Sequence, residues 1–276
     1  MKNFETKVAA ITGAGSGMGR ELAVLLAKRG CAVAISDVNE KSLAETAELV
    51  RAIGVKVTQT TLDVANREAV YAWADEVVRD HGKVNLIFNN AGVALVASVE
   101  GVSYGDFEWL MNINFWGVVY GTKAFLPYLK AAGEGHIINI SSVFGLVAVP
   151  MQSTYNASKF AVRGFTSALR QELDIAPCGV SATCVHPGGI KTNIAKLART
   201  DASIRDLGFD DALAMENFEK NFKTTPESAA RTIINAVENN KRRVMVGPDA
   251  HVIDWAVRLM PSYYERLMTL FTKHSM

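Results

Sequence analysis

The chain has 276 residues, 49% of them hydrophobic and 21% charged, with a net charge of +1. That size and balance suit one large α/β domain with a full core and leave nothing to steer nucleic acid or other highly charged partners. Three cysteines (Cys31, Cys178, Cys184) and five histidines fall in no metal-ligand spacing, so no metal site is expected.

Strand and helix signals then alternate along the chain. Residues 8–12 read as a buried strand, and 17–29 as a helix stopped by Gly30. A strand at 31–36, a helix at 40–53 ending at Gly54, a strand at 55–62 and a helix at 66–80 follow. The fourth strand is 84–88, and one long helix covers 106–130 with Pro127 near its end. A strand at 136–140, a helix at 152–176 and a strand at 180–185 come next. Residues 192–222 read as irregular and helical pieces. Thr225-Pro226 then starts a helix to Glu238 as a cap and first-turn pair. A strand at 243–246, preceded by the basic turn Lys241-Arg242-Arg243, leads into a mostly helical tail broken at Pro261. Repeated βα units of this size predict a Rossmann-type, doubly wound parallel sheet of seven strands with helices on both faces. Residues 1–276 read as one domain, with a lid expected at 193–222 and a helical extension at 249–276.

The loop Thr12-Gly-Ala-Gly-Ser-Gly-Met-Gly19 joins the first strand to the first helix. Its glycines permit a tight turn, and the helix start offers free N–H groups and partial positive charge to a pyrophosphate. Gly13, Gly15, Ser16, Gly17, Met18 and Gly19 are therefore candidate dinucleotide contacts. Asp37 ends the second strand, followed by Val38. A carboxylate there can accept the two hydroxyls of an adenosine ribose. A 2′-phosphate would meet it as a like charge, a repulsion on the order of 4 kcal/mol at ~4 Å and an intermediate dielectric. With no Arg or Lys at 38 or 39 and a neutral Ser16, the expected cofactor is NAD rather than NADP. Asp37 also suits a cap on the following helix. Asp63 and Val64 end the third strand, where the carboxylate suits either an adenine amino group or a helix cap. Asn90, Ala91 and Gly92 end the fourth, where small residues let backbone pass close to the ribose and Asn90 can tie strands together.

Ser142, Tyr155 and Lys159 carry the chemistry. Tyr155 and Lys159 are four apart in a predicted helix and share one face. A neighbouring ammonium is expected to bring the phenol down from its ordinary pKa of about 10. Ser142, at a strand end, can share a substrate oxygen with Tyr155, so the set can protonate a carbonyl or deprotonate an alcohol.

In this order and spacing, these residues resemble the short-chain dehydrogenase/reductase family over about residues 5–192, through Pro187-Gly188…Thr192. The resemblance implies Tyr155 as general acid/base, with Lys159 lowering its pKa and binding the nicotinamide ribose. It implies Ser142 as the group polarising the substrate oxygen. Asn114, three before Gly117, matches the family's asparagine that holds a relay water; Asn112 is its near neighbour. Pro187 and Gly188 would shape the nicotinamide pocket, with the Ile190 backbone and the Thr192 hydroxyl on the carboxamide. Thr192 alternatively caps a short helix.

The substrate wall is expected from the apolar stretch after Ser142 and the segment after Pro187, with Val143, Val149 and Gly189 as contacts beside Ser142 and Tyr155. Apolar Val93-Ala-Leu-Val96 adds to it, and no cation sits where it would clamp a carboxylate or phosphate. A neutral, apolar secondary alcohol or its ketone is the expected substrate. A non-catalytic NAD-binding sensor is the alternative, against which the intact Ser142, Tyr155, Lys159 and Asn114 argue. The tail suits a helix over the pocket, a subunit contact or an interfacial helix. A homodimer or homotetramer is expected, with no nucleic acid and no membrane partner. The N-terminal residues lack an apolar leader core, no apolar run has transmembrane length, and the odd cysteine count fits a reducing cytoplasm.

Overall fold

In the computed structural model, which describes residues 1–176, 178–209 and 222–274, nine strands are present among the described residues. They are β1 (Val8–Thr12), β2 (Ala32–Asp37), β3 (Val57–Thr61), β4 (Leu86–Asn89), β5 (Leu95–Val96), β6 (Gly135–Ile140), β7 (Val180–Pro187), β8 (Arg199–Thr200) and β9 (Arg243–Val246). Seven form one sheet in the order β3-β2-β1-β4-β6-β7-β9, and every pairing is parallel. The continuous apolar run of β1 is buried at each of its residues, as a strand covered by helices on both faces must be. The doubly wound sheet read from the alternating βα signals is the observed fold. Its order reverses between β1 and β4, and the crevice beyond those strand ends is where such sheets take ligands.

Helices α1 (Gly17–Ala27), α2 (Glu40–Arg51) and α7 (Pro226–Glu238) cover one face. Leu22 and Leu26 of α1 and Ile233 and Val237 of α7 pack there with Ile11 and Ile35 of the sheet. The other face carries α3 (Arg67–His81), α5 (Gly117–Ala131) and α6 (Ser153–Ile175). Trp73 of α3 meets Phe125 of α5 edge to face, with ring centroids 5.1 Å apart. Asn39, Asn66 and Thr225 cap α2, α3 and α7 by accepting backbone N–H bonds, the ordinary use of those side chains. Gly82 ends α3 at φ 77°, a left-handed position that glycine adopts without strain.

The long helix expected at 106–130 is three pieces: α4 (Tyr104–Met111), a π-helical turn (Asn112–Trp116) and α5. The extra residue in the π turn changes the helical phase where Asn114 turns inward, a common device at functional sites. β5 and β8 pair with each other outside the main sheet. This docks the start of the segment read as a lid. Arg199 lies 3.6 Å from the centre of the Trp109 ring and 2.7 Å from Asp106. Residues 210–221 of that segment lie outside the described residues. The tail forms α8 (Pro248–Leu259) and α9 (Tyr264–His274), separated around Pro261.

Candidate active site

The glycine loop is shaped by what its glycines leave out. Gly13 and Gly17 have φ of 64° and 53°. A Cβ on Gly19 would lie 2.2 Å from the Gly13 carbonyl oxygen, and one on Gly13 would lie 2.8 Å from Ala91 Cα. The β1 and β4 ends therefore close on one another, held by Asn90 Nδ2 donating to the Thr12 and Gly13 carbonyls at 2.9 and 3.1 Å. This is the strand tie expected of Asn90. Thr12, which opens the loop, adds its hydroxyl as acceptor for the Asn90 and Ala91 N–H groups. No side chain caps α1: Ser16 makes no such bond, in contrast to the capped starts of α2, α3, α4 and α7. The end of the loop and the first turn, Ser16 to Gly19, thus present backbone donors to an anion.

Asp37 accepts from Gly15 N–H through Oδ2 and from Asn39 N–H through Oδ1, each at 2.9 Å. It does not cap α2; Asn39 does. Arg20 grips the Gly15 carbonyl from the other side, at 2.6 Å through Nη2. The sequence reading did not flag this residue, and its distance from the loop in space is what assigns it. Val38 is 66% exposed at the mouth of this crevice. Asp63 is exposed, accepts from Ala65 N–H, and leaves the α3 cap to Asn66. Val64 is buried against Gly117, where an added Cβ would lie 2.9 Å from its methyl. These features fit a dinucleotide: an uncapped helix start for its phosphates, a carboxylate with free lone pairs for a ribose, and an exposed apolar edge for the base.

Ser142, two residues past β6, is extended and caps the 3₁₀ turn Val143–Gly145, its Oγ accepting from Phe144 N–H at 3.1 Å. Its carbonyl oxygen lies 2.9 Å from His186 Nδ1. A carbonyl can only accept, so that nitrogen carries the proton. His186 is buried at the end of β7, which pushes its pKa down to about 4 and keeps the ring neutral. Sequence reading did not single it out; its signal, a histidine directly before Pro187-Gly188, is visible only in retrospect. Ser141, next to Ser142, donates to the Lys159 carbonyl at 2.8 Å and locks α6 to the end of β6.

Tyr155 and Lys159 share a face of α6, with Nζ 5.4 Å from the centre of the Tyr155 ring. Nζ donates to the Ile140 carbonyl at 3.1 Å. Burial pulls the ammonium down to about 8. Burial also pushes the Tyr155 phenol up to about 12, and a hydrogen bond with Ser142 opposes it. In the chain alone burial is the leading influence on the phenol, and Lys159 donates to Ile140 rather than to it. Asn114 is fully buried, whereas Asn112 is exposed. Its amide clasps the Val93 backbone at both ends, at 2.8 and 2.9 Å. That clasp holds Gly92 beside the lysine: a Cβ on Gly92 would lie 3.2 Å from Asn114 Oδ1 and 3.6 Å from Lys159 Nζ.

On the apolar side, the Phe144 ring stands edge to face with Tyr155 at 6.0 Å, and Val93 and Leu95 pack in the same cluster as Tyr155. Val143 is buried with Leu146, Met245 and Ala250, in a cluster that Phe144 also joins. Phe144 takes the position beside the tyrosine. Val149 is half-buried, and its carbonyl accepts from Asn156. Pro187 is buried and Gly188 and Gly189 half-buried, after β7. Thr192 starts no regular helix and sets its methyl 3.1 Å from where a Gly17 Cβ would stand. Ile190 is buried beside it.

A strand–glycine-loop–helix crevice joined to a Ser-Tyr-Lys cluster defines a dinucleotide-dependent dehydrogenase fold. The short chain dehydrogenase family model matches residues 7–203, and the chain belongs to that family, as an oxidoreductase. It is 51% identical to SadH of Mycobacterium tuberculosis over 269 residues, covering 97% of this chain and 96% of SadH. A short chain dehydrogenase/reductase from Burkholderia phymatum, solved in complex with NAD, superposes with a TM-score of 0.87 at 31% identity over 97% of each chain. A short chain dehydrogenase from Mycobacterium paratuberculosis, bound to NAD, matches at TM-score 0.76 and 27% identity over 88% of this chain and 97% of its own.

Proposed function

We propose that the chain is an NAD(H)-dependent oxidoreductase that interconverts a neutral, apolar secondary alcohol and its ketone. The observation that carries this reading is the convergence of Ser142, Tyr155 and Lys159 at the strand ends beside the uncapped start of α1. The NAD-bound state of the Burkholderia and mycobacterial relatives supports the same cofactor here. Gly13 to Gly19 would hold its phosphates, Asp37 its adenosine ribose, Lys159 its second ribose, and the Pro187–Thr192 turn its nicotinamide. When bound, NAD supplies the hydride acceptor, and NADH the donor.

The chain's own residues do the rest. Ser142 Oγ holds the substrate oxygen against the Tyr155 hydroxyl. In reduction the neutral phenol is already the proton donor, since a phenol at or above its ordinary pKa of about 10 stays protonated near neutrality. In oxidation Tyr155 takes the alcohol proton, which needs added positive charge in the site beyond Lys159. Lys159 passes the proton outward along the wall that Asn114 holds at Gly92. Phe144, Val93 and Leu95 exclude water from the reacting carbon.

The whole chain then acts as one dehydrogenase domain. Free Cys31, Cys178 and Cys184 support a cytoplasmic setting. Exposed Trp116 and Phe160, on the face of the π turn and α6, support a homo-oligomer. Among the described residues no helix is long and apolar enough to cross a membrane. The test is an NADH-absorbance screen across aryl, alicyclic, aliphatic and steroid secondary alcohols. Turnover of at least one class is expected. Tight NAD binding with no turnover of any would overturn the catalytic reading.

A further inference from the structure

We propose that Asp249, in the first turn of α8, is a positioning residue for the nicotinamide side of the site, resting on the NAD reading above. Its Oδ2 accepts the Gly189 N–H at 2.6 Å across 60 residues of sequence. The carboxylate is fitted between two residues that have no side chain. A Cβ on Gly188 would stand 2.1 Å from Oδ2, and one on Gly247 would stand 2.5 Å from Oδ1. Gly247 has φ 101°, so the turn that delivers Asp249 is itself one that favours glycine. A carboxylate in the first turn of a helix also sits against the helix's positive end. Gly247 supplies no side-chain cap there.

The loop is held on its other edge too. Thr224 N–H donates to the Gly189 carbonyl at 3.3 Å, and Lys191 N–H donates to the Thr224 carbonyl at 2.9 Å. Asp249 and Thr224 thus fix both backbone groups of Gly189. Three residues on, Thr192 lies against Gly17 at the start of α1. Fixing Gly189 therefore fixes how Ile190 and Thr192 face the cofactor crevice. The same helix braces the opposite wall, since Ala250 and Ile253 pack on Val143 and Leu146. The tail, which the sequence left between pocket cover, subunit contact and membrane helix, begins as a buttress spanning both walls of the site.

The test compares NADH with ADP-ribose, which keeps the adenosine, pyrophosphate and second ribose but lacks nicotinamide. Calorimetric titration of purified full-length protein gives both affinities. Asp249→Ala should weaken NADH by about ten-fold, the scale of one lost hydrogen bond to a charged group, and leave ADP-ribose within about two-fold. Asp249→Asn, which still offers Oδ1 to Gly189 N–H, should restore NADH affinity. If Asp249→Ala does not fold, Gly188→Ala, whose methyl displaces the carboxylate, should show the same selective loss. Equal weakening of both ligands, or no loss for NADH, would overturn the proposal. Wild-type protein that binds neither ligand would overturn the NAD reading beneath it.

Discussion

Lys159→Met separates the buried charge of the site from its hydrogen bonds. Lys159 is 3% exposed, and burial lowers its pKa from 10.5 to about 8. Between these values the unfolded chain binds a proton that the folded chain does not. Wild-type stability therefore rises with pH across that window, by about 1.4 kcal/mol per unit, or roughly 3 kcal/mol in all. Methionine fills similar volume without titrating. The Ile140 carbonyl that loses its donor costs about 1–3 kcal/mol, equally at every pH in the window. Tyr155, whose raised pKa makes stability fall as pH climbs above 10, is present in both proteins. Urea denaturation of cofactor-free protein at pH 8 and pH 10.5 isolates the lysine term. Wild type should gain about 3 kcal/mol on the variant between the two. Parallel stability curves would refute the account of Lys159 as a desolvated ammonium.

Three further outcomes follow from the same geometry. Asp37→Ser removes the charge facing a 2′-phosphate and should shift the NADPH-to-NADH affinity ratio toward NADPH by at least about ten-fold, measured by fluorescence titration. His186→Leu leaves the buried Ser142 carbonyl without its donor and should lower turnover by about ten-fold with cofactor affinity unchanged; His186→Asn, which can donate again, should recover most of it. Hydrogen exchange at residues 199–204 should quicken in Arg199→Ala, which loses both the Trp109 face and Asp106.

The sheet was legible because each strand is a short apolar run followed by a helix of different period, a pattern that packing on both faces imposes. The Ser142, Tyr155 and Lys159 cluster was legible because an i,i+4 pair and a strand-end serine are local facts. Asn114 could be picked out by its distance from Gly117, but the π turn that buries it leaves the apolar periodicity of 104–131 almost unchanged. β5 and β8, two residues each, are too short to carry a period. Asp249 and His186 act through backbone groups 60 and 44 residues away, and side chain-to-backbone bonds leave no residue type at the far end to read. The rise of the Tyr155 phenol in the chain alone was not legible because burial is not visible in sequence.

Tyr155→Phe tests the central claim most directly, because it removes one oxygen and leaves the ring against Phe144 and Val93. With a secondary alcohol found in the NADH-absorbance screen, the variant should bind NADH as wild type does and lose about 10²–10⁴-fold in kcat, the range of general acid–base catalysis. Turnover near the wild-type rate with NADH binding intact would contradict the assignment of Tyr155 as the proton-transfer group.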